Sequence, residues 1–257
     1  MRYAVSIPPF TDPATLVGLA RDAEAAGWDG VFCWDHIQWS RPVPPGVLDP
    51  WVILGAIAQV TQRVRLGTLV TPLSRRRPGV VAKHLATLDH LSGGRVVFGA
   101  GLGAPADRDF ADLGDEADPR MRASMLDEGL DLLDALLSGP TTHAGTHYTV
   151  QAHLQPAPVQ RPRPPFWIAA VVPHRRPLAR ARRWDGIVPI GPDELVAPEA
   201  VSGYLGEVRK GWDVVLPWSA GVPADEYADA GATWLVEWPH PDGGWVEDLR
   251  LRIRRGP

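Results

Sequence analysis

The stretch Gly27-Trp-Asp-Gly-Val-Phe-Cys-Trp-Asp-His36 decides how the rest of the chain is interpreted. Its apolar centre, residues 31–34, predicts a short buried strand that follows a Gly-Trp-Asp-Gly turn. Asp35 and His36 come directly after that strand. Because α/β barrels carry their chemistry at the carboxyl ends of their strands, these two side chains are the first candidates for catalysis.

The composition limits the classes of protein that need to be considered. The chain has 257 residues, the size of one (β/α)8 barrel, with 45% hydrophobic and 22% charged residues. Its net charge of −4 argues against binding to nucleic acid or to a membrane surface. Cys33 is the single cysteine, and no apolar run reaches the ~18 residues of a membrane span. We therefore expect a cytoplasmic protein that binds neither nucleic acid nor membrane.

Strand-like and helix-like segments alternate along the whole sequence. Strands are predicted over residues 3–7, 31–34, 64–70, 95–100, 166–171, 186–189, 212–216 and 233–236. A helical segment follows each of them, the sixth over residues 198–210. Eight such units predict a closed (β/α)8 TIM barrel in a single domain over residues 1–257, with a doubly wound open sheet as the competing architecture.

A β-hairpin insertion is predicted between units four and five. Residues 141–150 alternate in polarity around Ala144-Gly145, as a hairpin does. His143 and His147, with His153 nearby, invite a zinc interpretation. A stable site needs a third ligand, and the turn at Gly145 separates the first two histidines, so no metal site is predicted.

Several segments, in this order and spacing, resemble the bacterial luciferase-like superfamily of flavin- and F420-dependent oxidoreductases. The similarity runs essentially end to end. The segments are residues 27–36 quoted above, Arg65-Leu-Gly-Thr-Leu-Val-Thr-Pro72, Ser92-Gly-Gly-Arg-Val-Val-Phe-Gly-Ala-Gly-Leu-Gly103, Leu126-Asp-Glu-Gly-Leu130, Pro158-Val-Gln-Arg-Pro162, Arg183-Trp-Asp-Gly186 and Ala230-Gly-Ala-Thr-Trp234.

The resemblance implies a ring of FMN or F420 lying across the carboxyl-terminal mouth of the barrel. It also implies a non-prolyl cis peptide at Leu69–Val70, behind the ring. Arginines that follow strand five suit the anionic tail of such a cofactor. The residues expected to contact the cofactor are Leu69, Val70, Thr71, Gly101, Gly103, Ala169, Ala170, Arg175, Arg176 and Gly186.

The resemblance assigns the chemistry to the Asp-His pair. His36 would donate or accept a proton at a small organic substrate, and Asp35 would orient its imidazole. With FMN, the reduced flavin would activate oxygen for a monooxygenation. A separate flavin or F420 reductase and a homodimer are expected from the family. In the structural alternative, Asp35 is a cap and His36 packs against Trp34 and Trp39.

Two departures from the family pattern favour a second hypothesis. Ala104 stands where the F420-dependent sugar-phosphate dehydrogenases of the superfamily carry a glutamate, which argues against that substrate. The segment over residues 217–225 is short where relatives often have a longer substrate-covering loop. The alternative is therefore a weakly active or inactive flavin-binding barrel with a shortened lid.

Overall fold

The computed structural model describes residues 1–39, 46–191, 195–219 and 221–257. Within these ranges, eight parallel strands form a closed barrel, and a separate two-stranded antiparallel sheet lies outside it. The barrel strands are β1 (Arg2–Ile7), β2 (Gly30–Cys33), β3 (Arg65–Pro72), β4 (Val96–Gly101), β7 (Phe166–Val171), β8 (Gly186–Ile190), β9 (Asp213–Pro217) and β10 (Trp234–Glu237). They pair in that order, and β10 closes onto β1.

Helices follow the barrel strands, as the sequence predicts. They are α1 (Pro13–Ala25), α2 (Pro50–Val60), α3 (Pro78–Ser92), α4 (Pro119–Ser138), α5 (Arg175–Ala181), α6 (Pro198–Leu205), α7 (Ala224–Asp229) and α8 (Trp245–Arg255). Asp12, Asp49 and Asp118 each cap a helix whose first residue is proline, so side-chain oxygens satisfy backbone N–H groups at the start of those helices.

The predicted TIM barrel and its hairpin insertion are confirmed. The hairpin consists of β5 (Thr141–Ala144) and β6 (Thr149–Ala152), between α4 and β7. The helix predicted to reach Lys210 ends at Leu205, because Gly206 adopts a φ of +59°, in the left-handed region that interrupts a helix. Residues 40–45, which include most of the proline-rich stretch over residues 41–46, lie outside the described residues, as does residue 220 of the short segment over residues 217–225.

Two apolar layers build the barrel. The inner layer fills its lumen with large side chains such as Phe32, Trp167 and Trp234. The outer layer packs the other faces of the strands, including Cys33, against the helices. Because side chains alternate along a strand, neighbouring residues in the sequence enter different layers.

Strand β3 changes register on its way to the mouth. It pairs regularly with β4 up to Thr68, and the pairing shifts between Thr68 and Thr71. The Leu69–Val70 peptide is cis, as the resemblance predicts. Leu69 is buried in the lumen, whereas the side chain of Val70 is partly exposed above it.

None of the helices in the described part of the chain is long and apolar enough to cross a membrane.

Candidate active site

His36 lies at the carboxyl end of β2, and its partner is Asp109. Nδ1 of the imidazole is 2.7 Å from Oδ2 of Asp109, and the histidine side chain is 15% exposed. An ionised carboxylate can only accept, so Nδ1 donates and Nε2 is left as the ring nitrogen for another partner. The pair therefore fixes which nitrogen of His36 can exchange a proton.

Asp109 is buried and held by several donors. Oδ1 accepts from the backbone N–H groups of Ile37 and Gln38 at 2.9 and 2.8 Å, and Arg75 Nη1 lies 2.8 Å from Oδ2. Burial raises the pKa of the Asp109 carboxyl, but the hydrogen bonds from His36 and Gln38 and the nearby positive charge outweigh it. The pKa of Asp109 consequently lies below its usual value, and the carboxylate is ionised at neutral pH.

The loop that carries Asp109 is anchored by the residue that follows it. Phe110 is buried, and the guanidinium of Arg122 lies 4.2 Å from the centroid of its ring. Arg122 also donates to the carbonyl oxygens of Leu102 and Gly103. This anchor joins the loop to the end of β4 and holds Asp109 in place beside His36.

The predicted role of Asp35 is wrong: its carboxylate does not orient His36. Asp35 is only 1% exposed, and its oxygens accept from Thr71 Oγ1, Trp51 Nε1 and both guanidinium groups that follow β3. The reason is strand alternation, since His36 continues the inward-facing row of β2 whereas Asp35 points toward the helices. Asp35 is therefore a structural acceptor outside the mouth.

Arg75 connects the two carboxylates. Nη2 lies 3.0 Å from Oδ1 of Asp35, and Nη1 lies 2.8 Å from Oδ2 of Asp109. The side chain is 2% exposed. Arg76 donates two further hydrogen bonds to Asp35, at 2.9 and 2.7 Å, and also forms an ion pair with Asp49. Both guanidinium groups that follow β3 are thus paired with carboxylates inside the protein.

Four aromatic side chains lie beside His36, and we refer to them as the aromatic wall. They are Phe10, Trp34, Trp39 and Trp238. Trp34 packs against each of the other three, with ring centroids 5.3 to 5.9 Å apart. The ring of Trp39 lies 4.6 Å from the imidazole of His36. One side of the barrel mouth is therefore aromatic.

The floor of the mouth is apolar and its far side is built from small residues. Val70, Ile190 and Trp238 are partly exposed and pack on top of the lumen core. A Cβ atom added at Gly101 would lie 2.7 Å from Cγ2 of Val70 and 3.1 Å from Cβ of Ala169. Gly101 is buried and thus lets Val70 and Ala169 pack closely, so the three residues form a low apolar surface on which a flat ring could lie.

Residues 1–232 match the family described as luciferase-like monooxygenase. The chain belongs to this family. Among curated relatives of this luciferase-like chain, an F420-dependent glucose-6-phosphate dehydrogenase of Beutenbergia cavernae is 41% identical over 155 residues, which are 58% of this chain and 44% of the relative. A protein of the same name from Nakamurella multipartita is 37% identical over 192 residues, 72% of this chain and 54% of the relative. The chain spans about half the length of the curated relatives it matches.

Solved structures of low sequence identity share the luciferase-like fold. The coenzyme F420-dependent tetrahydromethanopterin reductase of Methanopyrus kandleri superimposes with a TM-score of 0.77 at 16% identity, covering 99% of this chain and 98% of that one. An F420-dependent secondary alcohol dehydrogenase, in complex with an F420–acetone adduct, gives 0.77 at 17% identity, covering 98% and 97%. At this identity the likeness concerns the fold.

Some of the predicted cofactor residues of this luciferase-like chain lie around the mouth. Val70, Gly101 and Ala169 form the apolar surface described above. Arg175 and Arg176 are exposed at the start of α5, just beyond the carboxyl end of β7, and Arg175 also donates to the carbonyl of Tyr204 at 2.9 Å.

The other predicted cofactor residues have different surroundings. Leu69 lies in the lumen core, Thr71 is buried with its hydroxyl on Asp35, and Ala170 packs in the outer layer beneath the helices. Gly103 has a φ of +77°, and a Cβ there would lie within 2.8 Å of Pro72 and Phe110, so its bare Cα is a packing requirement. Gly186 is the first residue of β8, at the amino end of the barrel, opposite the mouth. Contact with a cofactor ring is not expected from these five.

Glu128 connects the hairpin that carries His143 and His147 to α4. Glu128 of α4 accepts from His143 Nε2 at 3.0 Å and from the backbone N–H groups of Thr146, His147 and Tyr148. Throughout the described ranges, no group of three or more His, Cys, Asp or Glu side chains could hold a metal ion.

Two shallow surface depressions lie away from the mouth. One, of about 380 Å³, is beside the hairpin and is lined by Pro140, Thr141, Thr142, Gln151, Ala152 and His153. The other, of about 350 Å³, is lined by Arg182, Glu207, Arg209 and Trp212. Neither contains the histidine and buried carboxylate that meet at the mouth, so the mouth remains the candidate active site.

Asp109 is the residue that sequence reasoning missed. It stands in a loop with other acidic residues, Asp107 and Asp112, and nothing in the local pattern distinguishes it. The available signal was its place after β4, because the loop after a barrel strand reaches the same mouth as His36.

Proposed function

We propose that this protein is an oxidoreductase that uses F420, or alternatively FMN, to transfer a hydride to or from a small organic substrate at the barrel mouth. The observation that carries the proposal is that the oriented His36 imidazole lies at the same barrel mouth as the low apolar surface formed by Val70, Gly101 and Ala169. F420 is the first choice because the two relatives named above are F420-dependent dehydrogenases. When bound, the cofactor would supply the hydride chemistry.

The residues at the mouth fit a flat, largely apolar ring system. Val70 and Ile190 offer a partly exposed apolar surface, and Gly101 and Ala169 carry little or no side chain on the side of β4 and β7. These residues would hold the ring. The exposed guanidinium groups of Arg175 and Arg176 would pair with the anionic tail, since arginine forks suit phosphate and carboxylate groups.

His36 would move the proton of the reaction at Nε2. Nδ1 is engaged by Asp109, so the ring presents one defined nitrogen toward the mouth. Asp109 would act as a positioning residue that also stabilises the protonated imidazole. The aromatic wall beside His36 would exclude water from the site of proton transfer.

Titration of the purified protein with F420 and, separately, with FMN tests the proposal. A saturable change in the absorbance spectrum is expected with one of the two, followed by cofactor-dependent turnover of a carbonyl or alcohol substrate. Binding without turnover of any substrate would favour the inactive-barrel hypothesis, and binding of neither cofactor would reject the proposal. The separate reductase and the homodimer stay predictions from the family.

A further inference from the structure

We propose that the aromatic wall selects a neutral, largely apolar substrate with an aromatic or alicyclic ring, and that Trp39 and Trp238 are its specificity-determining residues. This inference rests on the proposed function, because it names the substrate class of the same mouth. The proposed substrate differs from the sugar phosphate that the names of the two relatives give.

The wall is continuous across three neighbouring strands. Trp238 follows β10, Phe10 follows β1, and Trp34 and Trp39 follow β2, and these strands are adjacent in the barrel. The rings contact one another through Trp34, whose indole N–H is anchored on Ser6 Oγ at 2.7 Å. The wall is therefore a rigid surface and not a set of independent side chains.

The wall is open to a ligand next to the reacting nitrogen. Phe10, Trp39 and Trp238 are partly exposed, and the neighbouring Ile37 is 48% exposed, so the apolar surface extends outward. Trp39 is in contact with the imidazole of His36, with ring centroids 4.6 Å apart. A ring stacked on this surface would have its functional group beside His36, with Gly101 and Ala169 across the mouth for the cofactor.

The charged side chains that the structure describes in this part of the mouth do not suit a phosphate. Arg75 is 2% exposed and is paired with Asp35 and Asp109, and Arg76 is paired with Asp35 and Asp49. A phosphate would have to displace these carboxylates to reach either guanidinium. It would also approach the negative charge of Asp109, which lies directly behind His36. A neutral ligand meets neither obstacle.

The inference is tested by calorimetric binding of three probes to the cofactor-saturated protein: benzaldehyde, cyclohexanone and glucose 6-phosphate. Cofactor binding is measured first and separately, by absorbance, for the wild type and for every variant. The wild type is expected to bind benzaldehyde or cyclohexanone at least about tenfold more tightly than glucose 6-phosphate. Trp39→Ala and Trp238→Ala are each expected to weaken that binding about tenfold, whereas Trp39→Phe and Trp238→Phe lose little, because a ring remains in place.

Trp218→Ala is the matched control, since Trp218 is also partly exposed but packs against Tyr3 and the outer layer of the barrel. It should leave probe binding unchanged. Tight binding of glucose 6-phosphate, or equal probe affinity in the wild type and in folded Trp39→Ala and Trp238→Ala proteins, would overturn the inference while leaving the cofactor proposal intact. Absence of cofactor binding in the wild type would overturn both.

Discussion

Nδ1 of His36 and Oδ2 of Asp109 lie 2.7 Å apart although 73 residues separate them in the chain. The histidine comes from the end of β2 and the aspartate from the loop after β4. Their meeting gives the mouth a histidine with a fixed tautomer, which is the general acid–base group of the proposed function.

Asp109→Asn should lower kcat about 10–100-fold with little change in KM, because an amide does not stabilise a protonated imidazole and does not enforce its tautomer. The pH profile of kcat should also move toward lower pH. Asp109→Glu, which keeps the charge, should recover part of the activity. Steady-state kinetics over a pH range measure both effects, and an unchanged profile in the asparagine variant would contradict the assigned role.

His36→Ala should lower kcat about 10²–10⁴-fold, the usual contribution of a general acid or base. Its affinity for the cofactor should stay close to that of the wild type, because the proposed ring contacts are Val70, Gly101 and Ala169. Absorbance titration and single-turnover kinetics separate the two properties. A variant with full activity would assign the proton to another group.

Asp35→Asn should destabilise the fold by about 3–5 kcal/mol, because it leaves the buried guanidinium of Arg75 and that of Arg76 without their shared carboxylate. Asp49→Asn is the control. Asp49 pairs with Arg76 but is 44% exposed, and asparagine is an equally good helix cap, so the loss should stay below about 1 kcal/mol. Urea unfolding measures both, and equal losses would refute the structural role given to Asp35.

Gly101→Val should abolish cofactor binding while the barrel stays folded. The new side chain would displace Val70 and Ala169 from the surface proposed for the ring, because a Cβ alone comes within 2.7 Å of Cγ2 of Val70 and 3.1 Å of Cβ of Ala169. Gly18→Ala serves as the control, since nothing lies within 4 Å of a Cβ at that position. Absorbance titration measures the cofactor affinity, and circular dichroism checks the fold. A folded Gly101→Val protein with undiminished cofactor affinity would place the ring elsewhere.

Glu128→Gln should destabilise the protein by about 1–3 kcal/mol at pH 7, because a charged acceptor of backbone N–H groups is lost. Burial raises the pKa of Glu128, but bonds from His143 and from the backbone of His147 and Tyr148 outweigh it and lower the pKa from 4.5 to about 2. The wild-type advantage is therefore complete above pH 4.5 and declines as the pH falls toward 2. Urea unfolding of both proteins across this range tests the sign, and a difference that does not change with pH would contradict it.

The barrel could be predicted from the sequence because its signals are local. Alternating strand and helix segments, proline after aspartate at helix starts, and glycine after helix ends each act within a few residues. The position of His36 followed from the same pattern, since the carboxyl end of a barrel strand is at the mouth. Gly206 shows the limit, because a glycine within a periodic segment did not reveal that α6 would stop there.

The partner of His36 could not be predicted in the same way. Adjacent residues at a strand end face opposite sides of the sheet, so Asp35, the obvious neighbour in sequence, points toward α2 and the arginines after β3. Ala169 and Ala170 divide between the mouth and the outer layer for the same reason. Asp109 meets the imidazole only in the folded barrel, where the buried Phe110 anchors its loop. These are long-range contacts, which a local sequence pattern does not show.

A crystal structure of the protein saturated with F420 or FMN would show directly whether the ring binds beside His36 at the barrel mouth. We predict that the ring lies against Val70, Gly101 and Ala169, with Nε2 of His36 facing the substrate side and Nδ1 still on Asp109. A ring bound away from these residues, or a His36 imidazole turned away from the ring, would contradict it.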